Sequence, residues 1–443
     1  MKPALTASLA LVLAFAPGLG AQTGRPVLTE VPSPLDLRGA IGYALDHNFS
    51  ILQSRETIRL QEGVIVQVRA QEIPNLGATG QYQRNEPSIS QIYPPSNSLW
   101  TVELKATQNL FAGGGIFSAI KNAKLTRDAA GYDLQTTIDA ALLDVRTRFY
   151  SVILAREKIR VEEENVKLYQ HQLDDTRNQF ETGTVSNFEV LRAKLFLANA
   201  QPDLISARNS YRIAIEQLRQ SMGTPGMAPF PEVVGDLNVT TASFDPDAAI
   251  ASAHEHRPEL EKLGKLQSAS EETVKTARSA YYPNLQAFGA WEWDGIGYVN
   301  PFPGTPTTAN GWLLGLQSTW SIFDGRATDG RVRQAKSQLE QSRLAKDSEE
   351  LEIDVEVRQT LSSLQEAGEL VTASQQTIEQ AAEALRLADA KFHAGSATQL
   401  DVLTSQVSLT QAKTDQLTAN YNYLVAVANV RKAIGMSDAL VVP

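Results

Sequence analysis

Residues Gln179 to Lys194 read QFETGTVSNFEVLRAK, and residues Lys391 to Gln406 read KFHAGSATQLDVLTSQ. In both, a long helical pattern runs into an aromatic residue, Phe180 or Phe392, with a glycine three places on, Gly183 or Gly395. Glycine there is helix-stop chemistry, because it alone enters the left-handed region without a Cβ penalty. A hydroxyl residue then stands three before an acid, Ser186 with Glu189 and Thr398 with Asp401, which predicts a capping box opening the next helix. Each stretch is the tip of a helical hairpin, about 180–189 and 392–401. The duplication extends outward: Pro74-Asn75-Leu76 and Pro283-Asn284-Leu285 are 209 apart, as are Ala40 and Ala249. Phe111 and Phe323 differ by 212, and so do Gly223 and Gly435. One insertion of three residues between positions 76 and 110 of the first frame reconciles these offsets, so the chain holds two copies of one unit.

The repeats run over about 35–222 and 248–437, joined by a Pro/Gly-bearing connector at 223–247 and followed by a short end at 438–443. Before them, Lys2 and an apolar stretch from Ala4 to Ala16 with small residues up to Ala21 predict a signal peptide over 1–21. That stretch is shorter than the roughly 20 residues a spanning helix needs. Residues 22–34, with Pro26, Pro32 and Pro34, read as a linker. The absence of cysteine leaves no disulfide framework and no lipid-bearing cysteine. A formal charge of −10 argues against nucleic acid as a partner, since phosphate binding needs clustered Lys and Arg.

Within each repeat the hydrophobic period changes. Leu35 to about Glu72 reads as helix, ended by Pro74. From Leu76 the chain alternates Leu76, Ala78, Gly80 and Tyr82 against Gly77, Thr79, Gln81 and Gln83, which is a strand. Glu86 to Ser98 reads as a loop, and Leu99 to Phe111 alternates again, giving a hairpin at about 75–111. The second repeat has its hairpin at about 284–323, with a loop from Ile296 to Gly311. The five tryptophans, Trp100, Trp291, Trp293, Trp312 and Trp320, all fall in these hairpins. Membrane strands use such residues at the interfaces that flank an outward apolar band facing lipid. A glycine turn follows each hairpin, and then a proline-free helical pattern, Ile116 to Gln179 in the first repeat, far longer than an ordinary globular helix. Return helices run from Ser186 to about Met222 and from Thr398 to about Ile434.

Chemistry for catalysis is not visible, so no enzyme and no cofactor is expected. His254 and His256 are two residues apart and point to different faces of a helix, so no metal site is expected from them. Gly113-Gly114-Gly115 lacks the Lys-Ser/Thr of a phosphate cradle and reads as a strand-to-helix turn. Four amphipathic strands cannot close a barrel, and open edges are not tolerated in lipid, so the chain must oligomerise to insert.

The repeat, Arg257-Pro258-Glu259-Leu260, Pro283-Asn284-Leu285, Asn109-Leu110-Phe111 before a glycine turn, and the paired Phe-x-x-Gly tips together resemble the TolC family of outer-membrane efflux proteins, from about residue 35 to 437. The resemblance implies a mainly α protein with a membrane β-barrel portion: a homotrimer whose twelve-stranded barrel, four strands per protomer, continues into a long periplasmic α-helical barrel. It implies the exit duct of drug efflux or type I secretion, driven by an inner-membrane transporter and joined through a periplasmic adaptor. By the same resemblance, Gly183, Thr184, Val185, Gly395, Ser396 and Ala397 are the tip residues that receive the adaptor. Asp401 and Glu189 match acids of the pore mouth and gate, while Phe392 stands for a locking tyrosine and Thr404 for a second pore aspartate. Ala397 stands where the family has a locking arginine, so this gate should be closed by other contacts or less tightly. The alternative is a periplasmic coiled-coil scaffold or adaptor protein without a membrane barrel, whose hairpins pack in a soluble domain.

Overall fold

A computed structural model describes residues 30–90, 92–226, 229–299 and 301–436. The expected signal peptide, most of the linker and the C-terminal end lie outside the described residues. The chain folds as α1 (Leu37–His47), α2 (Phe49–Arg69), β1 (Asn75–Arg84), β2 (Ser96–Ala112), α3 (Gly115–Glu181) and α4 (Asn187–Met222), then repeats the plan. The second set is α5 (Pro246–His256), α6 (Pro258–Ser279), β3 (Asn284–Tyr298), β4 (Thr308–Thr319), α7 (Ala327–His393) and α8 (Gln399–Ala433). Helix starts keep the offsets read from the sequence, 209 before the hairpins and 212 after them. Both α3 and α7 are unbroken over 67 residues, rods of about 100 Å.

Two expectations are corrected in detail. The single helix over 35–72 is two helices, because the Asn48 side chain accepts hydrogen bonds from the backbone N–H groups of Ser50 and Ile51 and so caps a new start. The strands are also longer than their alternation suggested. β2 begins at Ser96 and β3 runs to Tyr298, inside the stretches read as loops, while β4 stops at Thr319, before Trp320. Cross-strand pairing, not composition, carries β2 and β3 onward: Ser96 pairs Tyr298, and the Val299 N–H donates to the Pro95 carbonyl at 2.7 Å.

The four strands form one antiparallel sheet in the order β1-β2-β3-β4, with all four helix connections at one end. The register places Tyr82, Trp100, Val102, Leu104, Trp291, Trp293 and Trp312 on one face. Gln81, Thr101, Glu103, Lys105, Glu292 and Asp294 occupy the other. β1 is exposed along its whole length and β4 nearly so, hence both edges of the sheet are unpaired.

Two apolar cores sit at mid-height and are copies of one another. Ala40, Ala44, Val145, Val152, Ala214, Leu218 and Met222 are buried in the first. Their repeat equivalents Ala249, Ala253, Val357, Leu364, Ala426, Val430 and Ile434 are buried in the second. The α3/α4 and α7/α8 hairpins hang below, and α8 also packs on α3, so the wall runs α4-α3-α8-α7; above the cores it runs α2-α3-α6-α7. Like the sheet, this wall ends on open edges with exposed apolar side chains: Leu191, Leu195, Ile205 and Ile213 on α4, and Leu344, Leu351 and Val355 on α7.

Candidate functional site

Both tips end as the sequence predicts. At the first, Gly183 takes φ 79°, its N–H reaches the Phe180 carbonyl at 2.9 Å, and the Thr184 N–H reaches that of Gln179 at 2.9 Å. Gly395 takes φ 74°, and the N–H groups of Gly395 and Ser396 reach the carbonyls of Phe392 and Lys391 at the same distances. This double bond closes a helix end by satisfying its orphan carbonyls. Hydroxyls reinforce it, since Thr184 Oγ1 donates to the Gln179 carbonyl and Ser396 Oγ to that of Lys391. Gly183, Thr184, Gly395 and Ser396 are exposed, and Val185 and Ala397 are half-buried.

The helix starts differ. Asp401 forms the expected capping box: its Oδ2 accepts the Thr398 N–H at 2.8 Å and the Thr398 hydroxyl at 2.7 Å. Thr398 Oγ1 accepts the Asp401 N–H at 3.3 Å. The backbone bond from Thr398, its hydroxyl and the Lys391 charge hold the Asp401 carboxyl below the usual aspartate range. At the first tip the box does not form, which corrects the expectation for Ser186 and Glu189. Ser186 makes no side-chain cap, and Glu189 turns forward to Arg192 at 3.1 Å, whose guanidinium lies over the Phe188 ring. The contact is an ion pair without hydrogen-bond geometry, so the attraction of the guanidinium charge, not a directed bond, turns Glu189 away from the helix start. Phe392 is half-buried beside His393, and Thr404 is exposed on α8.

What binds one hairpin to the other was not legible in the sequence. Gln399 Nε2 donates to Thr176 Oγ1 at 2.7 Å, both side chains buried, just above the tips. Farther up, Thr410 Oγ1 donates to Asn165 Oδ1 at 3.3 Å, and Lys413 Nζ pairs with Glu164 at 3.1 Å. No motif marks these residues, and the partners are more than 200 positions apart.

At the opposite end of the molecule, Trp312 is 74 % exposed and Trp100 is 38 % exposed. Trp320 lies just past β4, where its Nε1 donates to the Tyr281 carbonyl at 3.1 Å. The other face is polar. Thr101 Oγ1 donates to Asp294 at 2.7 Å, and Lys105 lies 3.4 Å from Glu103. Among the described residues no group of His, Cys, Asp and Glu could hold a metal ion, and no helix is long and apolar enough to cross a membrane.

Comparison with known proteins agrees with this geometry. The chain is 23 % identical to outer membrane protein TolC of Escherichia coli over 393 residues, 84 % of this chain and 76 % of that one. It is 24 % identical to the alkaline protease secretion protein AprF of Pseudomonas aeruginosa over 301 residues, 67 % of this chain and 62 % of that one. Among solved structures, CusC, described in terms of folding and transmembrane channel formation, superposes with a TM-score of 0.76 at 16 % identity, covering 90 % of this chain and 92 % of CusC. Residues 40–224 and 249–436, the two halves of the repeat, each match one family description, and the chain belongs to the outer membrane efflux protein family.

Proposed function

We propose that three copies of the chain close edge to edge into a passive exit duct of the outer membrane, a twelve-stranded barrel continued by a twelve-helix tube. The observation that carries this is the coincidence of open edges. β1 and β4 are unpaired where α2, α4 and α7 carry exposed apolar faces, so one lateral contact satisfies sheet and helices together. The tryptophan face then meets lipid, and the face with Glu103, Lys105, Glu292 and Asp294 lines water. A periplasmic scaffold would leave that aromatic face in water, where patches of such size are rarely kept. Mass measurement in mild detergent should give a trimer, and the protein should stay with membranes through salt and carbonate washes. A stable monomeric membrane form would refute the assembly.

Orientation is testable on intact cells, because the chain has no cysteine of its own. Tyr93, 82 % exposed, and Thr307, also exposed, sit in the two hairpin loops at the far end from the helices. Cysteines at Tyr93 and Thr307 should react with an impermeant thiol reagent, and one at Ser186 should not. The reverse pattern would invert the duct. Ser96 is unsuited to this, since it is 3 % exposed and bonded to Ser90.

In this duct the tips, Gly183-Thr184-Val185 and Gly395-Ser396-Ala397, receive a periplasmic adaptor that links to an inner-membrane transporter. The bonds Gln399 to Thr176 and Lys413 to Glu164 serve in place of an arginine lock, holding the α7/α8 hairpin against α3. Asp401 serves both as helix cap and as one member of a symmetric carboxylate ring at the mouth. Asp401→Asn keeps an acceptor for Thr398 while removing the charge. It should therefore lower cation selectivity and weaken block by multivalent cations in planar bilayers, with the melting temperature nearly unchanged. Unchanged selectivity with a lower melting temperature would leave Asp401 as a cap only.

A further inference from the structure

Midway between the tips and the cores lies a cavity of about 720 Å³ between α4 and α8, floored by α3. Its side relative to the connector follows from helical geometry. Phe149 and Ile153 of α3 touch the position of Gly235, and Arg156 donates to the carbonyls of Val233 and Gly235 at 2.8 Å. Lys158, Glu162, Asn165 and Tyr169, which line the cavity, lie about half a turn away at 100° per residue. On α4, Arg219 packs over Phe230 and donates to the Pro225 carbonyl, about half a turn from the cavity residues Asp203 and Ser210. On α8, Tyr423 accepts the Ala242 N–H, about half a turn from Thr414. All three helices thus place the connector on one face of the wall and the cavity on the other.

Which face is the bore follows from size. Twelve helices packed 8–10 Å apart in a ring leave a channel of about 25 Å. Three connectors, each with its α1 and α5 helices about 10 Å thick, would plug it. The connector must lie outside, and the cavity opens into the bore.

Its chemistry is that of a binding pocket and differs from the rest of the wall. Neighbouring acids are neutralised: Glu157 by Arg160 at 2.9 Å, Glu163 by Arg208 at 2.8 Å and Glu164 by Lys413 at 3.1 Å. Glu162 on α3 and Asp203 on α4 both line the cavity, near enough for their charges to interact, and neither has an ion-pair partner among the described residues. Burial pushes the Glu162 carboxyl up, the Asn165 hydrogen bond opposes this, and the Asp203 charge adds to the rise. Below them are the tilted rings of Tyr169 and Phe196, 5.8 Å apart, with Ala200 and Val407 completing an apolar wall. Aromatic faces and carboxylates both favour a cation, and the volume suits a drug-sized molecule.

Resting on the duct reading, we propose that this cavity is a subsite on the bore wall for organic cations in transit, one per chain, with Glu162 and Asp203 as the charge-recognising pair and Tyr169 and Phe196 as the apolar seat. Lys158, one turn before Glu162 on the same face, lines the cavity without pairing with either acid, and its positive charge opposes such a ligand.

The test uses the full chain, purified as the assembled protein, and equilibrium dialysis against tetraphenylphosphonium over a micelle-only baseline. Tetraphenylborate has the same shape and the opposite charge. Saturable binding of the phosphonium at one per chain, with none of the borate, is the expected result. Glu162→Gln combined with Asp203→Asn should weaken phosphonium binding at least about tenfold, whereas Lys158→Gln should strengthen it. Equal binding of the two ions, or unchanged binding in the double variant, overturns the subsite. Detergent mass and bilayer conductance, measured on the same samples, keep the two readings apart. A conducting trimer without charge-selective binding removes the subsite and leaves the duct, while charge-selective binding by a non-conducting protein removes the duct and overturns the transit role with it.

Discussion

Gly223→Val will leave little assembled protein in the membrane fraction. Gly223 ends α4 at φ 74°, and a Cβ there would stand 2.1 Å from the carbonyl oxygen of His47. Neither group can retreat. The Gly223 and Thr224 N–H groups close α4 on the carbonyls of Gln220 and Arg219, and Asn48 Nδ2 holds the Ser221 carbonyl at 2.7 Å. A β-branched side chain meets both left-handed strain and backbone overlap, which together cost more than about 3 kcal/mol. The second repeat makes the same approach, with Gly435 at φ 69° and a virtual Cβ 2.9 Å from the His256 carbonyl carbon. Gly183→Ala is the control. Its φ is 79°, yet nothing lies within 4 Å of the added carbon, so only the conformational cost of about 1 kcal/mol applies. Yields of trimer for the two variants, compared by detergent gel filtration, should differ severalfold. Equal yields would mean that the approach of α4 to the α1/α2 junction matters no more than backbone conformation.

Arg257→Met should lower the melting temperature of the trimer more than any substitution at the tips. The Arg257 side chain is only 5 % exposed, and it donates to Glu259 at 3.0 Å, to Glu356 at 2.5 Å and to the Ala433 carbonyl at 3.3 Å. Removing one partner of such a cluster leaves uncompensated carboxylates. The cost should sit near the lower end of the usual range, about 3 kcal/mol, because the Glu356 side chain is still 33 % exposed and keeps Lys432 at 3.3 Å. Burial alone would raise the Glu356 carboxyl. The Arg257 hydrogen bond and charge, with Lys432, outweigh it and hold Glu356 below the ordinary glutamate value of 4.5. A depressed folded-state value stabilises above the unfolded value, and that contribution disappears as pH falls through the folded one. The wild type should therefore lose part of its stability on acidification below about pH 4.5, and Arg257→Met should show a flatter acid limb. A parallel pH profile in the two proteins would show that Arg257 acts by packing alone.

Asn48 and Arg257 also show how far a sequence can be read. They occupy equivalent places 209 apart, and they bind equivalent carbonyls, Ser221 and Ala433, which are 212 apart. One does so with an amide and the other with a guanidinium, so the shared role has no shared residue type. Only the paired cores bring it out.

The repeat, its offsets, the two helix stops and the alternation of the strands were all determined by sequence alone, because each depends on local chemistry. A glycine that tolerates positive φ, a period of two or 3.6, and a proline that ends a helix act within a few residues. The Asp401 capping box was legible for the same reason, since its partner Thr398 is three positions away. Its counterpart failed at Ser186 because Arg192, on the next turn of α4, draws Glu189 into an ion pair. Tertiary structure decided whatever depends on partners far along the chain. It drew β2 and β3 past their expected ends by pairing, joined Gln399 to Thr176, and brought Glu162 and Asp203 to one cavity. The order α4-α3-α8-α7 likewise belongs to the fold and not to the sequence pattern. Hydrophobic periodicity says which face of a helix is buried, but the face is equally apolar whichever neighbour covers it.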